Sequence, residues 1–353
     1  MPRNRNRDQT VYRRFGWRDA FAFVRALPNM MWRRDERVSY TSLARLSAVN
    51  QRTIPPRRQF IASDGAQIAY RSYASSSTAH LVLVHGSACF GDQFNHLARH
   101  IAAIGLAQVH TLDLRGHGAS GQPGLDPDRF AQDIGEFVAS LHDSHDNCQV
   151  FLGGHSAGGG LAINVLGSTY DYGISGGYGI SGCLLLAPFL GIDNPTVRPL
   201  FGGWLKRIWF ARLGLVILAN LIGVTRYNRI PVVEFNAEAS LHDPRFAREW
   251  SFTSVHGLGP GPVRADRSAL SAVPIRLIAG DRDECFRSHL YASAIAAFAP
   301  DADVVILGGL GHWDVLTDSA ALDACCAWLK ALIPLVETEH SAEVLDNHAR
   351  FAS

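Results

Sequence analysis

Short apolar runs rich in β-branched residues alternate with helix-like segments along most of this chain, and that alternation most narrows the folds it can adopt. Alternating strands and helices predict an α/β fold whose central sheet is mostly parallel and carries helices on both faces. The apolar runs span residues 80–85, 107–114, 148–154, 182–188, 274–280 and 302–309. The helix-like segments span residues 92–104, 127–142 and 156–167 and lie near 287–298 and 317–332.

Two stretches fall outside this alternation. The first, "RRQFIASDGAQIAYRSY", starts at residue 57 and predicts two strands joined at Asp64-Gly65, a dipeptide that favours a tight hairpin turn. The second, residues 189–270, is rich in Trp, Phe, Leu and Pro, and its segment 201–224 predicts an apolar helix or helix pair. The longest uncharged run there, 213–225, is too short to span a bilayer, which favours a cap over the sheet.

The chain is therefore predicted to have four parts. They are a basic N-terminal extension (1–56), an α/β core (57–188 and 271–335), an inserted apolar cap (189–270) and a polar C-terminal tail (336–353).

Positive charge is concentrated at the start of the chain. Residues 1–58 contain fourteen arginines against four acidic residues, a local net charge of +10, whereas the whole chain carries +1. Two interpretations stay open, namely a poorly ordered extension or an arm that meets an anionic surface such as lipid headgroups. We expect no nucleic-acid partner. An arginine interrupts the apolar stretch at 21–32, so we also expect no secretory signal.

The six cysteines show neither a C-x-x-C pair nor a Cys/His spacing typical of a metal site. Scattered cysteines of this kind, several of them in apolar runs, predict free buried thiols in a reducing compartment. We therefore expect a cytoplasmic protein.

The pattern Gly-x-Ser-x-Gly occurs twice, around Ser156 and around Ser175. A nucleophilic serine of this kind needs a strand before it, an abrupt turn and a helix after it, which together expose its hydroxyl at the sheet edge. Ser156 lies between the apolar run "QVFLGG" and the helix-like "LAINVL". Ser175 follows "STYDY" in a glycine-tyrosine near-duplication, which predicts a loop. Ser156 is therefore the candidate nucleophile.

A serine hydroxyl needs a base that takes its proton and a third group that orients the base. Among fifteen histidines, His312 lies in a glycine-flanked loop, "GGLGHWDVL", directly after an apolar run. Asp281 and Asp283 follow another run in "LIAGDRDECF", at the sheet edge where open α/β sheets keep their sites. The residues alone leave both aspartates open as the third group.

Taken together, these motifs resemble the α/β-hydrolase superfamily and, within it, the monoacylglycerol lipase, lysophospholipase and serine aminopeptidase-like branch. The resemblance covers roughly residues 58–332. It depends on five motifs in the family's order: "LVLVHGS" (81–87), "LDLRGHGAS" (112–120), "GGHSAGG" (153–159), "GDRD" (280–283) and "GLGH" (309–312).

The resemblance implies Ser156 as nucleophile, His312 as base and Asp283 as acid, with Asp281 as the alternative acid. It also implies an oxyanion hole made by the backbone N–H groups of Ser87 and Ala157. The family's segment "RGHGAS" is a structural turn, so His117 within it is not expected to be catalytic.

The same resemblance implies a serine esterase that forms an acyl-enzyme, without a metal or organic cofactor. The apolar cap favours a hydrophobic or acyl-chain ester such as a monoacylglycerol or lysophospholipid. Alternatives with the same triad are an arylesterase, a thioesterase or a carbon–carbon bond hydrolase, and a protein that binds a hydrophobic ligand without turnover is a further one. Peripheral contact with a membrane, through the basic arm or the cap, and the oligomeric state are left open.

Overall fold

The computed structural model describes residues 20–22, 24–27, 41–50, 53–145, 147–167, 179–236, 245–259, 270 and 273–333. Its strands are β1 (Arg57–Ile61), β2 (Gln67–Tyr73), β3 (His80–Val84), β4 (Gln108–Leu112), β5 (Val150–His155), β6 (Ile180–Leu186), β7 (Leu205–Ile208), β8 (Pro231–Phe235), β9 (Glu249–Ser251), β10 (Ile275–Gly280) and β11 (Asp303–Leu307). Its α-helices are α1 (Thr41–Val49), α2 (Asn95–Ala103), α3 (Arg129–Ser144), α4 (Ala157–Leu166), α5 (Phe210–Leu221), α6 (Phe252–Leu258), α7 (Tyr291–Ala296) and α8 (Ser319–Leu332).

Eight of these strands form the central sheet, in the order β1-β2-β4-β3-β5-β6-β10-β11. The six strands from β4 to β11 in that order are parallel to their neighbours, whereas β2 is antiparallel to both β1 and β4. The hairpin of β1 and β2 turns at Asp64-Gly65, as the sequence predicts. The predicted α/β fold with a mostly parallel sheet is confirmed.

The strand order reverses direction beside β3. The chain passes from β3 to β4 in one direction and from β4 to β5 in the other, and right-handed crossovers then place α2 and α3 on opposite faces of the sheet. The contacts between helices agree with this placement: α2 contacts α8 on one face of the sheet, whereas α3 contacts α4 on the other. In open α/β sheets, ligands bind at such a reversal, outside the carboxyl ends of the strands. Here these are the ends of β3 and β5.

The sheet interior accounts for most of the hydrophobic core. All five residues of β3 and all six of β5 are buried, because strands in the middle of a parallel sheet have helices on both faces. All six cysteines lie buried as free thiols among the described residues. The predicted free buried thiols are therefore confirmed.

A second, three-stranded antiparallel sheet, in the order β7-β8-β9, lies between residues 205 and 251. The sequence predicts only an apolar helix or helix pair in this region, and the structure contains one such helix, α5, directly after β7. The strand β7 was missed because its partner β8 lies more than twenty residues further along the chain. None of the described helices is both long and apolar enough to cross a membrane. The division of the chain into core, cap and tail stays a prediction.

The described part of the N-terminal segment is helical and packs on the core. Residues 20–22 and 24–27 are helical, and Arg25 forms an ion pair with Asp193 at 2.8 Å. In α1, Leu43 and Leu46 join the hydrophobic core. This packing was not evident from the arginine-rich sequence.

Two buried histidines stack on each other away from the carboxyl ends of the strands. His80 opens β3, and its Nδ1 lies 2.9 Å from Nε2 of His110 in β4. Burial lowers the pKa of His80 to about 4 and that of His110 to about 3. The cost of burying an imidazolium in an apolar interior explains both directions.

Lowering the pH from 7 to 5 should therefore reduce the free energy of unfolding. The pKa values of both histidines in the folded state lie below the usual 6.5. Between pH 6.5 and about 4 the unfolded chain therefore binds more protons than the folded chain, so the free energy of unfolding decreases as the pH is lowered through this window. Each histidine contributes at most about 1.4 kcal/mol per pH unit. Urea unfolding at both pH values measures this loss.

The substitution His110→Phe should make stability less dependent on pH, whereas His289→Asn, at an exposed position, should not. The same pH dependence in wild type and His110→Phe would contradict the assignment.

Candidate active site

Ser156 lies in an abrupt turn between β5 and α4, at the carboxyl edge of the sheet. Its backbone has φ 54° and ψ −120°, a left-handed conformation that is strained for any residue with a side chain. The surrounding hydrogen bonds hold it there, since its N–H donates to Leu186 O at 3.0 Å and its carbonyl accepts from Phe189 N–H at 2.8 Å. This is the strand–turn–helix geometry that the sequence predicts around this serine.

The two glycines of the motif permit this turn by close approach of backbones. A Cβ at Gly154 would lie 2.2 Å from Gly158 O, and a Cβ at Gly158 would lie 2.1 Å from Val84 O. Both distances are shorter than any van der Waals contact, so only glycine fits at either position. The spacing Gly-x-Ser-x-Gly is thereby explained sterically. The second match, around Ser175, lies outside the described residues.

His312 and Asp283 form a buried hydrogen-bonded pair. His312 Nδ1 lies 2.9 Å from Asp283 Oδ2, and the two side chains are 1% and 0% exposed. The other carboxylate oxygen, Oδ1, accepts the backbone N–H groups of Cys285 (2.7 Å) and Phe286 (2.8 Å). Asp283 is thus fixed from both sides, with one oxygen left for the imidazole.

Asp281, the alternative acid, lies elsewhere. Its Oδ1 accepts the backbone N–H of Gly309 at 2.6 Å, and its side chain is exposed. The structure therefore brings Asp283, and not Asp281, to His312.

The His312 loop packs against β5, the strand that ends one residue before Ser156. The rings of His155 and His312 lie 4.6 Å apart, and His155 Nε2 lies 3.1 Å from the carbonyl oxygen of His312. Because a carbonyl only accepts, Nε2 of His155 carries the proton and donates it. Burial lowers the pKa of His155 well below its usual range, which keeps this ring neutral. His155, the residue before Ser156, thus binds the loop of His312 without itself being charged.

Ser87 follows the carboxyl end of β3, and Ala157 begins α4, so both lie where the strand order reverses. Ser87, Ser156 and Ala157 line the same cavity. Trp204 Nε1 donates to Ser87 Oγ at 2.8 Å, which connects this loop to the residues just before β7. The structure thus brings the two predicted oxyanion-hole residues together around Ser156.

The cavity has a volume of about 320 Å³ and a mostly apolar lining. Aromatic and aliphatic side chains from β7, β8, α5 and the loop after β6 form its wall. Ala22, from the helical N-terminal residues, also lines it, a contact that no motif of the chain predicts.

The remaining candidate histidines have other roles. His117 Nε2 accepts the indole N–H of Trp250 at 2.8 Å, and burial lowers the pKa of His117 to about 4. It therefore lies between the core and β9 as a neutral ring. His256 lies in the cavity wall on α6, His289 is exposed, and His242 lies outside the described residues.

Asp283, Cys285 and His312 are the one group among the described residues with enough clustered donors for a metal ion. Asp283 and His312 already share a hydrogen bond, and the other carboxylate oxygen of Asp283 accepts two backbone N–H groups, so these donor atoms are already bonded within the protein. We assign no metal to this group.

Comparison with known protein families matches residues 81–327 to the alpha/beta hydrolase family. The match covers more than half of the chain. This chain belongs to the α/β-hydrolase family. The resemblance inferred from its motifs is confirmed, and this hydrolase has the fold that the family implies.

Two lipases are among the relatives of this hydrolase. It is 25% identical to a monoacylglycerol lipase of Mycolicibacterium smegmatis over 292 residues, which cover 76% of this chain and 95% of that lipase. It is 29% identical to lipase LipV of Mycobacterium tuberculosis over 126 residues, which cover 36% of this chain and 43% of LipV.

Solved structures share its fold. A soluble variant of the Saccharomyces cerevisiae monoglyceride lipase, in complex with a substrate analog, has a TM-score of 0.56 and 17% identity, and the match covers 80% of this chain and 97% of that one. The Paleococcus ferrophilus monoacylglycerol lipase has a TM-score of 0.54 and 18% identity, with 75% of this chain and 99% of that one covered. At these identities the likeness shows the fold alone.

Proposed function

We propose that this hydrolase cleaves a carboxylic ester through an acyl-enzyme on Ser156. One observation supports this above the others: the strained serine opens onto an apolar cavity, and the buried Asp283–His312 pair lies in the loops packed against its strand. Such a serine, base and acid are the groups that acyl transfer requires.

The first half of the proposed reaction is attack of Ser156 Oγ on the ester carbonyl carbon. His312 Nε2 takes the serine proton, and Asp283 stabilises the imidazolium that forms. The carbonyl oxygen becomes an oxyanion, to which the backbone N–H groups of Ser87 and Ala157 donate. Each such donor is worth about 3 kcal/mol in the transition state where it has been measured in other enzymes. The imidazolium then gives its proton to the departing alcohol.

In the second half, water attacks the acyl-enzyme carbonyl carbon and His312 takes a proton from it. The tetrahedral intermediate collapses, the carboxylic acid leaves, and Ser156 recovers its proton. All steps use side chains and backbone amides of this chain together with water.

We propose a hydrophobic acyl-chain ester as the substrate, of the monoacylglycerol or lysophospholipid type. The apolar lining of the cavity favours a chain over a polar group, because apolar surface gains free energy when it leaves water. The monoacylglycerol lipase relative supports the same class.

Activity should then rise with acyl length. From acetyl to octanoyl esters of one alcohol, kcat/KM should increase by up to about fourfold per added CH₂, the equivalent of about 0.8 kcal/mol, until the cavity is full. Ala22→Leu, which enlarges a cavity-lining residue, should move the optimum to shorter chains. Phe21→Leu, on the exposed side of the same helix, is the matched control. A strict preference for acetyl would contradict a lipid-type substrate.

The same series separates the alternative reactions. If thioesters, aryl esters or diketones with identical acyl groups are cleaved faster than alkyl esters, the triad would serve thioester, aryl ester or carbon–carbon bond hydrolysis instead.

We also propose that the surface around α5 contacts anionic lipid. Phe210, Leu215, Leu218 and Ile222 are 44–73% exposed on or next to this helix. Six cationic residues and no acidic one lie between positions 195 and 233, and two of the six form ion pairs with Glu234, which directly follows this stretch. An apolar helix face beside arginines suits a headgroup interface. The residues of the arginine-rich N-terminal arm that lie before position 20 are outside the described part of the chain.

Binding to vesicles tests this surface. The protein should cosediment with vesicles of mixed zwitterionic and anionic lipid at low salt, and less at high salt, because salt screens exposed charges. Leu218→Glu should weaken binding about tenfold or more. Ile306→Glu makes the same apolar-to-acidic change at an exposed position on β11 and should have little effect. Equal binding by wild type and Leu218→Glu would move the contact away from α5.

A further inference from the structure

Helix α1 lies outside the residues that match the family, yet it contacts the loops of the candidate triad. Ser42, in its first turn, is 0% exposed, and its Oγ donates to Glu284 Oε1 at 2.6 Å. Glu284 directly follows Asp283. A hydrogen bond from the N-terminal segment thus reaches the acid loop.

The second carboxylate oxygen of Glu284 bonds to the loop that contains His312. Glu284 Oε2 accepts the backbone N–H of His312 at 2.5 Å. One side chain therefore joins three parts of the chain, namely α1, the residue after Asp283, and the backbone of His312. A charged acceptor makes both of these bonds stronger than neutral ones.

The junction is closely packed. A Cβ at Gly311 would lie 2.9 Å from both Glu284 carboxylate oxygens and 3.0 Å from Ser42 Cβ, so the loop approaches as closely as glycine allows. One helical turn after Ser42, Arg45 binds Asp314 through both carboxylate oxygens, at 2.8 and 2.5 Å. Asp314 in turn accepts the N–H of Gly311 at 2.8 Å. Helix α1 is thus connected to the His312 loop twice, through Glu284 and through Asp314.

We infer that Glu284, held by Ser42 of α1, is a positioning residue that fixes the backbone of His312 relative to Asp283. The inference depends on the proposed role of His312 as base. Loss of this bond would let the imidazole move relative to Ser156, and displacements of about 1 Å can cost about a hundredfold in rate. Neither Ser42 nor Glu284 is among the cavity-lining residues, so substrate binding should be unaffected.

The experiment compares Glu284→Met, Glu284→Gln, Ser42→Ala and Ser47→Ala in the full chain. Methionine is about as long as glutamate but offers no oxygen acceptor, so both bonds are lost, whereas the glutamine amide can accept the His312 N–H through its oxygen and donate to Ser42 Oγ through its NH₂ group. Ser47 is the matched control, because its Oγ bonds to Leu43 O within α1 and to neither triad loop. Active sites are counted by complete titration with a fluorophosphonate, and kcat, KM and Tm are then measured.

Glu284→Met should lower kcat per titrated site about 10- to 100-fold, with KM within about twofold of wild type, whereas Glu284→Gln should recover most of that loss. Ser42→Ala should lower kcat less, about three- to tenfold, and should add little to Glu284→Met, since both disturb one connection. Ser47→Ala should leave kcat within about twofold. A merely structural role would instead lower Tm or the number of titratable sites and leave kcat per site unchanged.

Unchanged kcat per titrated site in Glu284→Met, or a loss of the same size in Glu284→Gln, would overturn the inference. The rate of fluorophosphonate labelling keeps this test separate from the substrate proposal, because it reports the reactivity of Ser156 without any ester. If wild type labels rapidly but cleaves no ester, the proposed substrate class fails and the labelling rates of the variants still test Glu284. If wild type does not label, the proposed nucleophile itself fails.

Discussion

Replacing Ser156 with alanine should abolish ester hydrolysis, lowering kcat by about 10⁴-fold or more. The expected loss is this large because no acyl-enzyme forms without the hydroxyl, and the remaining groups support only residual catalysis by water. The protein should stay folded, since the removed Oγ makes no bond that holds the turn. Its backbone contacts to Leu186 and Phe189 remain.

Fluorophosphonate labelling with peptide mapping provides the direct measurement. Wild type should carry a single adduct on Ser156, and Ser156→Ala should carry none. Ser175→Ala, the other match to the motif, is the control and should label and turn over like wild type. An adduct on Ser175, or turnover that survives Ser156→Ala, would contradict the assignment of the nucleophile.

The position of Ser156 could be predicted because the signal is local. A strand, the single turn residue Ser156 and a helix follow one another in sequence, and Gly154 and Gly158 are required by contacts within that same unit and the neighbouring strand. The fold was predictable for a related reason. Most of the buried parallel strands contain a short apolar run, so the order of elements is visible in the residues themselves.

The support of His312 could not be predicted in this way. Ser42 and Glu284 are 242 positions apart, and neither residue type at its position indicates a partner. The strand β7 was missed for the same reason, since its apolar residues form a strand only once β8 is placed beside them. Contacts of this range depend on the assembled fold, and a single sequence contains no periodicity that reports them.

The acid of the triad was only partly predictable from the sequence. Asp281 and Asp283 follow the same strand two residues apart, and both lie at the correct edge of the sheet. Only the path of the loop decides which carboxylate turns inward. The N–H groups of Cys285 and Phe286 hold Asp283 in that orientation, whereas Asp281 caps Gly309 at the surface.

Asp283→Asn should therefore lower kcat by about 10³- to 10⁴-fold, whereas Asp281→Asn should stay within about threefold of wild type. In Asp283→Asn, the amide oxygen can keep the two backbone bonds made by Oδ1, which turns the NH₂ group toward His312 Nδ1. An NH₂ donor requires Nδ1 to accept, so the proton moves to Nε2, and Nε2 can no longer take the proton of Ser156. In Asp281→Asn, the amide oxygen can still accept the N–H of Gly309.

Each variant replaces one carboxylate oxygen of the same loop with an NH₂ group. Because Asp283 is buried and Asp281 is exposed, Tm is measured for both variants, which separates a loss of folding from a loss of triad geometry. Steady-state kinetics, together with the rate of fluorophosphonate labelling, should show the gap between them at unchanged KM. If Asp281→Asn showed the larger loss, the acid would be Asp281, and the Asp283–His312 hydrogen bond would have only a structural role. Comparable small effects from both would mean that the imidazole is oriented without either carboxylate, and Glu284, bonded to the backbone N–H of His312, would be the next carboxylate to replace.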